Sequence, residues 1–339
     1  MQTFFPKISV CIPVFSTEPL LAQCLRSVIV QDFDSFEVVV VSDASRRKDE
    51  NGRSAKKIVK LAQKECDRFR KDRHLPCVPF KFVEHHENRG ILEVRRTLVY
   101  EASGSHIFMV DSDDVLEDGA LSALFLESNS FDIIQGGARA GRFDCEGNFV
   151  PEKENRFEKI VPCEAHGHDI FHEWISQGKI SGHLWAKLIK RELFEKAFEN
   201  IPYTECNMAD DFLIFFFVSL YAQNYVSLKN KVYRYRISSG MSSTRKIDTL
   251  HKWKMVCSAA SVFTVISTWI EEYGNRLQKD EVERIRAMTR YYLANNLRQM
   301  HETVIPELKN EARKMLCEYW GESFVEKIEA GLAAGLHRN

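Results

Sequence analysis

What this chain of 339 residues lacks narrows its chemistry before any motif does. No Cys-x-x-Cys pair occurs, and the nine cysteines (Cys11, Cys24, Cys66, Cys77, Cys145, Cys163, Cys206, Cys257 and Cys317) show no zinc-ligand spacing. An odd, unpatterned count favours a reducing compartment over a disulfide framework. Charge of one sign is also missing. The net charge of -1 gives no basic surplus, so nucleic acid is not expected as a partner. The longest apolar run, residues 212–222 with Ser219 inside it, falls short of the ~20 residues of a spanning helix. The opening Phe4-Phe5-Pro6-Lys7 has no charged stretch leading into a long apolar one, so no secretory signal is expected and the reading is a soluble cytoplasmic protein. Glycine is absent from residues 13–19, where a phosphate loop would need it, and no G-x-G-x-x-G follows a strand. Those absences disfavour a nucleotidyltransferase and a dehydrogenase.

What is present is a 44% hydrophobic chain, long enough for one large domain with an appendage. Its first half alternates short apolar runs with helical periodicity. Residues 8–15, 36–41, 79–83 and 105–110 read as buried strands. Between them, the apolar spacing of Leu21, Cys24, Leu25, Val28 and Ile29, then of Ile58, Leu61, Ala62, Cys66 and Phe69, then of residues 91–102, predicts helices. Ser16 and Thr17 are suited to capping the first helix, with Pro19 in its first turn. Repeated crossovers through helices imply an α/β fold with a mostly parallel sheet covered on both faces. After residue 246 the pattern turns helical, over 251–273, 279–302 and 307–334, with breaks at Gly274-Asn275 and Pro306. The boundaries expected are 1–245 for the α/β domain, in halves 1–125 and 126–245, and 246–339 for the helical region.

Carboxylates collect at the ends of these elements. Asp111-Ser112-Asp113-Asp114 follows the run Ile107-Phe108-Met109-Val110, at the carboxyl end of a strand, where open α/β sheets bind ligands. Clustered carboxylates repel unless a cation joins them, and a divalent ion bridging to phosphates is one solution. An Asp-rich turn that caps the next helix is the other, and by itself the tetrad divides evenly between them. Asp43 ends the second strand, placed to accept from a base or ribose. Arg95, one turn into the helix after Asn88-Arg89-Gly90, places a cationic fork near the same point, suited to phosphate. Asp210 and Asp211 precede the buried segment 212–222. Acidic residues there complement a helix N-terminus, and equally supply a base.

In order and spacing, Ile12-Pro13-Val14-Phe15, Ser42-Asp43-Ala44-Ser45, Asn88-Arg89-Gly90 and Asp111-Ser112-Asp113-Asp114 resemble family 2 glycosyltransferases of the GT-A fold, bacterial surface-polysaccharide type. The resemblance is strong over residues 6–125 and sparser to about 245. It implies an inverting, metal-dependent transfer of a hexosyl or N-acetylhexosaminyl group from a UDP-sugar to a glycan or lipid-linked acceptor in cell-surface polysaccharide synthesis. It further implies that Asp43 contacts the base, that Asp111 and Asp113 hold ribose and Mg2+ or Mn2+ with Asp113 on the metal, and that Asp211 is the base beside Asp210. Pro13, Phe15, Asn88, Arg95 and Ser112 complete the nucleotide site. The chain departs from the family's Asp-Asp-Gly-Ser at Ser42 and Ala44, and from Ala-Arg-Asn-x-Gly at Val94, Arg96 and Leu98.

Gly182 to Leu188 resembles the family's W-x-K-L segment, in which Trp185 offers a face to a sugar and Lys187 reaches phosphate or acceptor, unless both serve the core. Tyr233-Arg234-Tyr235-Arg236 and the Ser-rich loop 239–243 follow as in those members, the loop as a lid or an ordinary turn. The pairs His85-His86 and His168/His172 fit structural roles better than metal ligation. Residues 46–73 carry twelve Lys/Arg against five Asp/Glu, a solvated face or a contact for the inner face of a membrane. The helical C-terminus is suited to bracing, self-association or a membrane face. The competing reading of the whole is an inert nucleotide-sugar-binding scaffold, in which the altered motifs are marks of decay.

Overall fold

Runs of β-branched residues fix the first strands. β1 (Ile8–Val14) and β2 (Phe36–Ser42) are buried at every position, as strands covered on both faces must be. α1 (Glu18–Ile29) and α2 (Ala55–Asp72) cross between β1, β2 and β3 (Phe80–Glu84), and α3 (Ile91–Glu101) leads to β4 (His106–Met109). The computed structural model describes residues 5–153, 163–237 and 246–334; the Ser-rich loop lies outside them. These four strands pair in parallel in the order β3-β2-β1-β4, so their carboxyl ends share one rim.

Beyond β4 antiparallel strands join the parallel ones. β5 (Val115–Leu116), α4 (Ala120–Phe125), β6 (Ile133–Phe143), β7 (Phe149–Pro151), β8 (Glu164–His166), α5 (His168–Ile175), β9 (Lys187–Lys190), α6 (Arg191–Asn200), α7 (Asp210–Tyr221) and β10 (Asn224–Arg236) follow. β9 runs antiparallel to both β4 and β6, and β10 is parallel to β6 but antiparallel to β5 and β8. Short strands such as β7, which returns on β6 through the Asp144–Asn148 turn, need no crossover helix, and antiparallel pairing permits that.

Two apolar clusters fill the two faces of the sheet. One combines the α1 and α2 faces with β1 and β2; the other surrounds α7. α7 is buried from Phe212 through Ser219, apolar nearly all round, because α5, α6 and α9 pack about it.

The helical region is α8 (Leu250–Cys257), α9 (Ala259–Tyr273), α10 (Lys279–Glu302), α11 (Lys309–Trp320) and α12 (Glu322–Ala333). The expected single helix over 251–273 breaks at Ser258, which donates to the Met255 carbonyl and accepts from the amide of Asn207. α9 gives Val262, Phe263, Ile266 and Trp269 to the α7 core, so the C-terminal helices brace that helix. Glu281, fully buried at the start of α10, meets His168 Nε2 at 2.8 Å and His172 Nδ1 at 3.2 Å, so these histidines dock α10 onto α5. Among the described residues Leu250–Arg276 is long and apolar enough by composition to cross a membrane, but half of its most apolar window is buried in the protein.

Candidate active site

The amide of Asp43 donates to the Val14 carbonyl where β1 and β2 end, and its carboxylate is all but buried. Oδ1 accepts from the Arg89 amide (2.9 Å) and lies 2.7 Å from His85 Nδ1; Oδ2 accepts from the Gly90 amide (2.9 Å). A carboxylate offers about four acceptor positions. Among the described residues three of them are taken. His85 Nε2 in turn meets Thr97 Oγ1 at 2.9 Å, so His85 orients Asp43. Gly90 has φ 86, and a Cβ there would lie 3.0 Å from both the Cys206 carbonyl and Asn207 Oδ1. Glycine is required at that point for backbone conformation and for the approach of the loop before α7.

The tetrad leaves β4 as a tight turn, the Asp114 amide donating to the Asp111 carbonyl. Tyr233 on β10 holds it from behind: its hydroxyl donates to Asp114 Oδ2 (2.9 Å) and accepts from the Asp111 amide (3.0 Å). Asp114 Oδ1 also accepts from the Arg236 amide (2.6 Å), so both its oxygens are engaged within the protein and Asp114 is structural; burial, with Asp113 and Asp111 nearby, pushes its carboxyl well above the usual range. Asp111 and Asp113 instead line the cavity. Thr17, expected to cap α1, makes no capping bond; its hydroxyl meets Ser112 Oγ at 2.7 Å. A neighbouring side chain 95 positions away won that hydroxyl.

Ala209, in left-handed backbone at φ 65, turns the chain so that Asp210 and Asp211 open α7 toward the same cavity. Arg95 reaches them from α3. Its Nε is 2.6 Å from Asp210 Oδ2, and its Nη2 is 3.1 Å from Asp211 Oδ1 and 3.3 Å from Asp111 Oδ1. Burial works against the guanidinium charge, but the three carboxylates outweigh it and raise its pKa. For Asp211 burial is the largest influence and pushes the carboxyl up to about 7, with Asp210 and Asp111 adding to it and Arg95 and Lys187 opposing. The Arg95 contact with Asp211 is close enough for ion pairing but too poorly aligned for a hydrogen bond, which leaves Oδ1 an acceptor.

Pro13, Phe15, Asp43, Asn88, Arg95, Asp111, Ser112, Asp113, Asp210 and Asp211 line one cavity of about 340 Å³, joined by Thr17, Asn207 and Met208. Trp185 and Lys187 do not line it. Trp185 is buried, stacked between His183 (4.5 Å) and Tyr233 (5.0 Å). Lys187 is fully buried; its ammonium donates to Ser181 (2.9 Å) and the His183 carbonyl and lies 5.0 Å from the Phe215 ring. Both side chains serve the core alternative: Lys187 opens β9, an interior strand between β4 and β6, and Trp185 just before it bridges to Met109 at the end of β4. Arg96, the departure from the family's Asn, pairs with Glu93 and donates to the carbonyls of Phe198, Ile201 and Pro202, tying α3 to the end of α6.

One guanidinium against five carboxylates leaves the cavity electronegative, and oxygen donors of this kind suit a hard divalent cation. Among the described residues no three His, Cys, Asp or Glu side chains converge as a closed cage.

The sequence profile of Glycosyl transferase family 2 matches residues 9–198, more than half of the chain. The chain belongs to glycosyl transferase family 2. Glycosyltransferase GlyA of Streptococcus pneumoniae is 27% identical over 243 residues, 70% of this chain and 31% of GlyA; the chain thus spans under a third of that relative. Putative glycosyltransferase EpsH of Bacillus subtilis is 26% identical over 81% of this chain and 72% of its own length. The crystal structure of S. aureus TarS 1-349 in complex with UDP-GlcNAc superposes with a TM-score of 0.50 at 18% identity, covering 98% of this chain and 93% of that one. The shared fold is the GT-A architecture.

The sequence did not disclose His85, Thr17, Asn207 or the hydroxyl of Tyr233 as parts of the site. Only Tyr233 carried a signal, in the alternation Tyr233-Arg234-Tyr235-Arg236 along a strand.

Proposed function

We propose that this family 2 member transfers a sugar, with inversion, from a UDP-sugar to a hydroxyl of a glycan or lipid-linked acceptor. One observation carries the proposal: Asp43, the pair Asp111 and Asp113, and Asp211, remote in sequence, line a single cavity at the carboxyl ends of β1, β2 and β4. In this reading the fourth acceptor position of Asp43 takes a base N–H. Asp111 and Ser112 hold the ribose, with Pro13, Phe15 and Asn88 along the nucleotide. That TarS was crystallised with UDP-GlcNAc in the same fold supports a UDP-sugar as donor class.

Asp113 would hold Mg2+ or Mn2+, and the ion would supply charge stabilisation to the departing diphosphate. Asp211 takes the proton of the acceptor hydroxyl. A carboxylate raised to about 7 by burial is a competent base near neutral pH, whereas an ordinary helix-capping Asp is a poor one. Inversion places that base on the face opposite the leaving group, as in inverting glycosidases.

The test is a pair of variants. Asp113→Ala is expected to lose Mn2+-dependent UDP binding in calorimetry. Asp211→Asn is expected to keep UDP affinity and to lose roughly 100-fold or more in turnover. Wild-type protein that binds UDP with Mn2+ but releases no UDP from any of UDP-glucose, UDP-galactose, UDP-GlcNAc or UDP-GalNAc would favour the inert scaffold.

A further inference from the structure

Arg95 stood in the sequence as a candidate phosphate contact, and its surroundings point elsewhere. Its side chain is 5% exposed, and the Nε and Nη2 edge of its fork faces Asp210, Asp211 and Asp111. Those carboxylates come from two elements, the start of α7 and the end of β4, about 100 positions apart in sequence. We propose that Arg95 is a positioning residue: it fixes Asp211 relative to Asp111, and so sets the distance between the acceptor base and the donor's ribose. This rests on the reading of Asp211 as the base.

Turning the fork toward a diphosphate would leave Asp210 and Asp211 buried together without a counter-ion, which is strongly unfavourable. The planar guanidinium spans carboxylates on two elements, whereas an ammonium is a point charge and holds one direction at a time. In-line attack tolerates little misplacement, and a shift near 1 Å costs about 100-fold in rate. Among the described residues the other cation that influences Asp211, Lys187, is committed to Ser181 and His183. Groups whose charge couples to Asp211 are Arg95, Asp210, Asp111, Lys187 and, from the loop before α7 and from α10, Cys206 and Tyr292.

The experiment uses Arg95→Lys and Arg95→Ala in the full chain. It measures UDP binding with Mn2+ by calorimetry and UDP release from whichever of UDP-glucose, UDP-galactose, UDP-GlcNAc or UDP-GalNAc the wild type turns over. Arg95→Lys is expected to lose about 100-fold in kcat while the Kd for UDP and Mn2+ stays within about threefold. Guanidinium ion added to Arg95→Ala is expected to restore part of the turnover, and methylammonium is not. A rise of tenfold or more in Kd with kcat near wild type would show a phosphate contact and overturn the proposal. So would wild-type kcat in Arg95→Lys, or an absence of guanidinium rescue in folded Arg95→Ala. The two readings fail separately: Asp211→Asn turning over at the wild-type rate sinks the base, whatever Arg95→Lys does.

Discussion

Replacing Gly90 by alanine probes the junction on which the cavity depends. Gly90 sits at φ 86, and its amide donates to Asp43 Oδ2. With ψ 160 this is backbone that glycine alone adopts readily, and a Cβ there costs about 1–3 kcal/mol. It also meets the Cys206 carbonyl and Asn207 Oδ1 at 3.0 Å, and crowding into a packed contact adds roughly 1–3 kcal/mol. Gly52 supplies the control, with φ 70 and nothing within 4 Å of a built Cβ. Gly52→Ala therefore carries a positive-φ cost without crowding, and Gly90→Ala is expected to exceed it by at least about 1 kcal/mol in equilibrium urea denaturation. Because the displaced segments hold Asp43 on one side and lead into Asp210 on the other, Gly90→Ala should also weaken UDP binding, whereas Gly52→Ala should not. Equal destabilisation of the two variants, with unchanged UDP affinity in both, would refute the argument that these loops are held together by close contact at Gly90.

Ala44 adopts φ 53 where the resembled motif has glycine, so Ala44→Gly is expected to relieve about 1–2 kcal/mol of strain against roughly 0.4–1 kcal/mol of added unfolded-state entropy, giving a small net gain readable as a raised urea midpoint. Asp43→Asn removes the charge on which two backbone amides and His85 converge; it is expected to destabilise by about 1.5–3 kcal/mol and to weaken UDP binding in the same titration. Burial lowers Lys187 from 10.5 to about 7. Between those values the unfolded chain holds a proton that the folded chain does not, so this lysine makes stability rise with pH over that window. Lys187→Met should flatten that rise in denaturation curves collected from neutral to alkaline pH, and an unchanged slope would show that Lys187 is not the group responsible.

Local pattern by itself determined the alternation of strands and helices through β4, because β-branched runs and amphipathic spacing are properties of neighbouring residues. It also placed Asp43, Asp111 and Asp113 at strand ends and Asp211 at a helix start, since strand ends in a parallel sheet share one rim. Tertiary structure decided the rest. Whether Thr17 capped a helix or met Ser112, whether Arg95 faced phosphate or carboxylates, and whether Trp185 and Lys187 lay open or buried depended on partners far away in the chain. The antiparallel entry of β9 and the bracing of α7 by α9 are of the same kind. A side chain's chemistry is written in the sequence, but which of several hydrogen-bonding or packing partners it takes is settled by geometry, since buried polar groups pair with whatever the fold brings within reach.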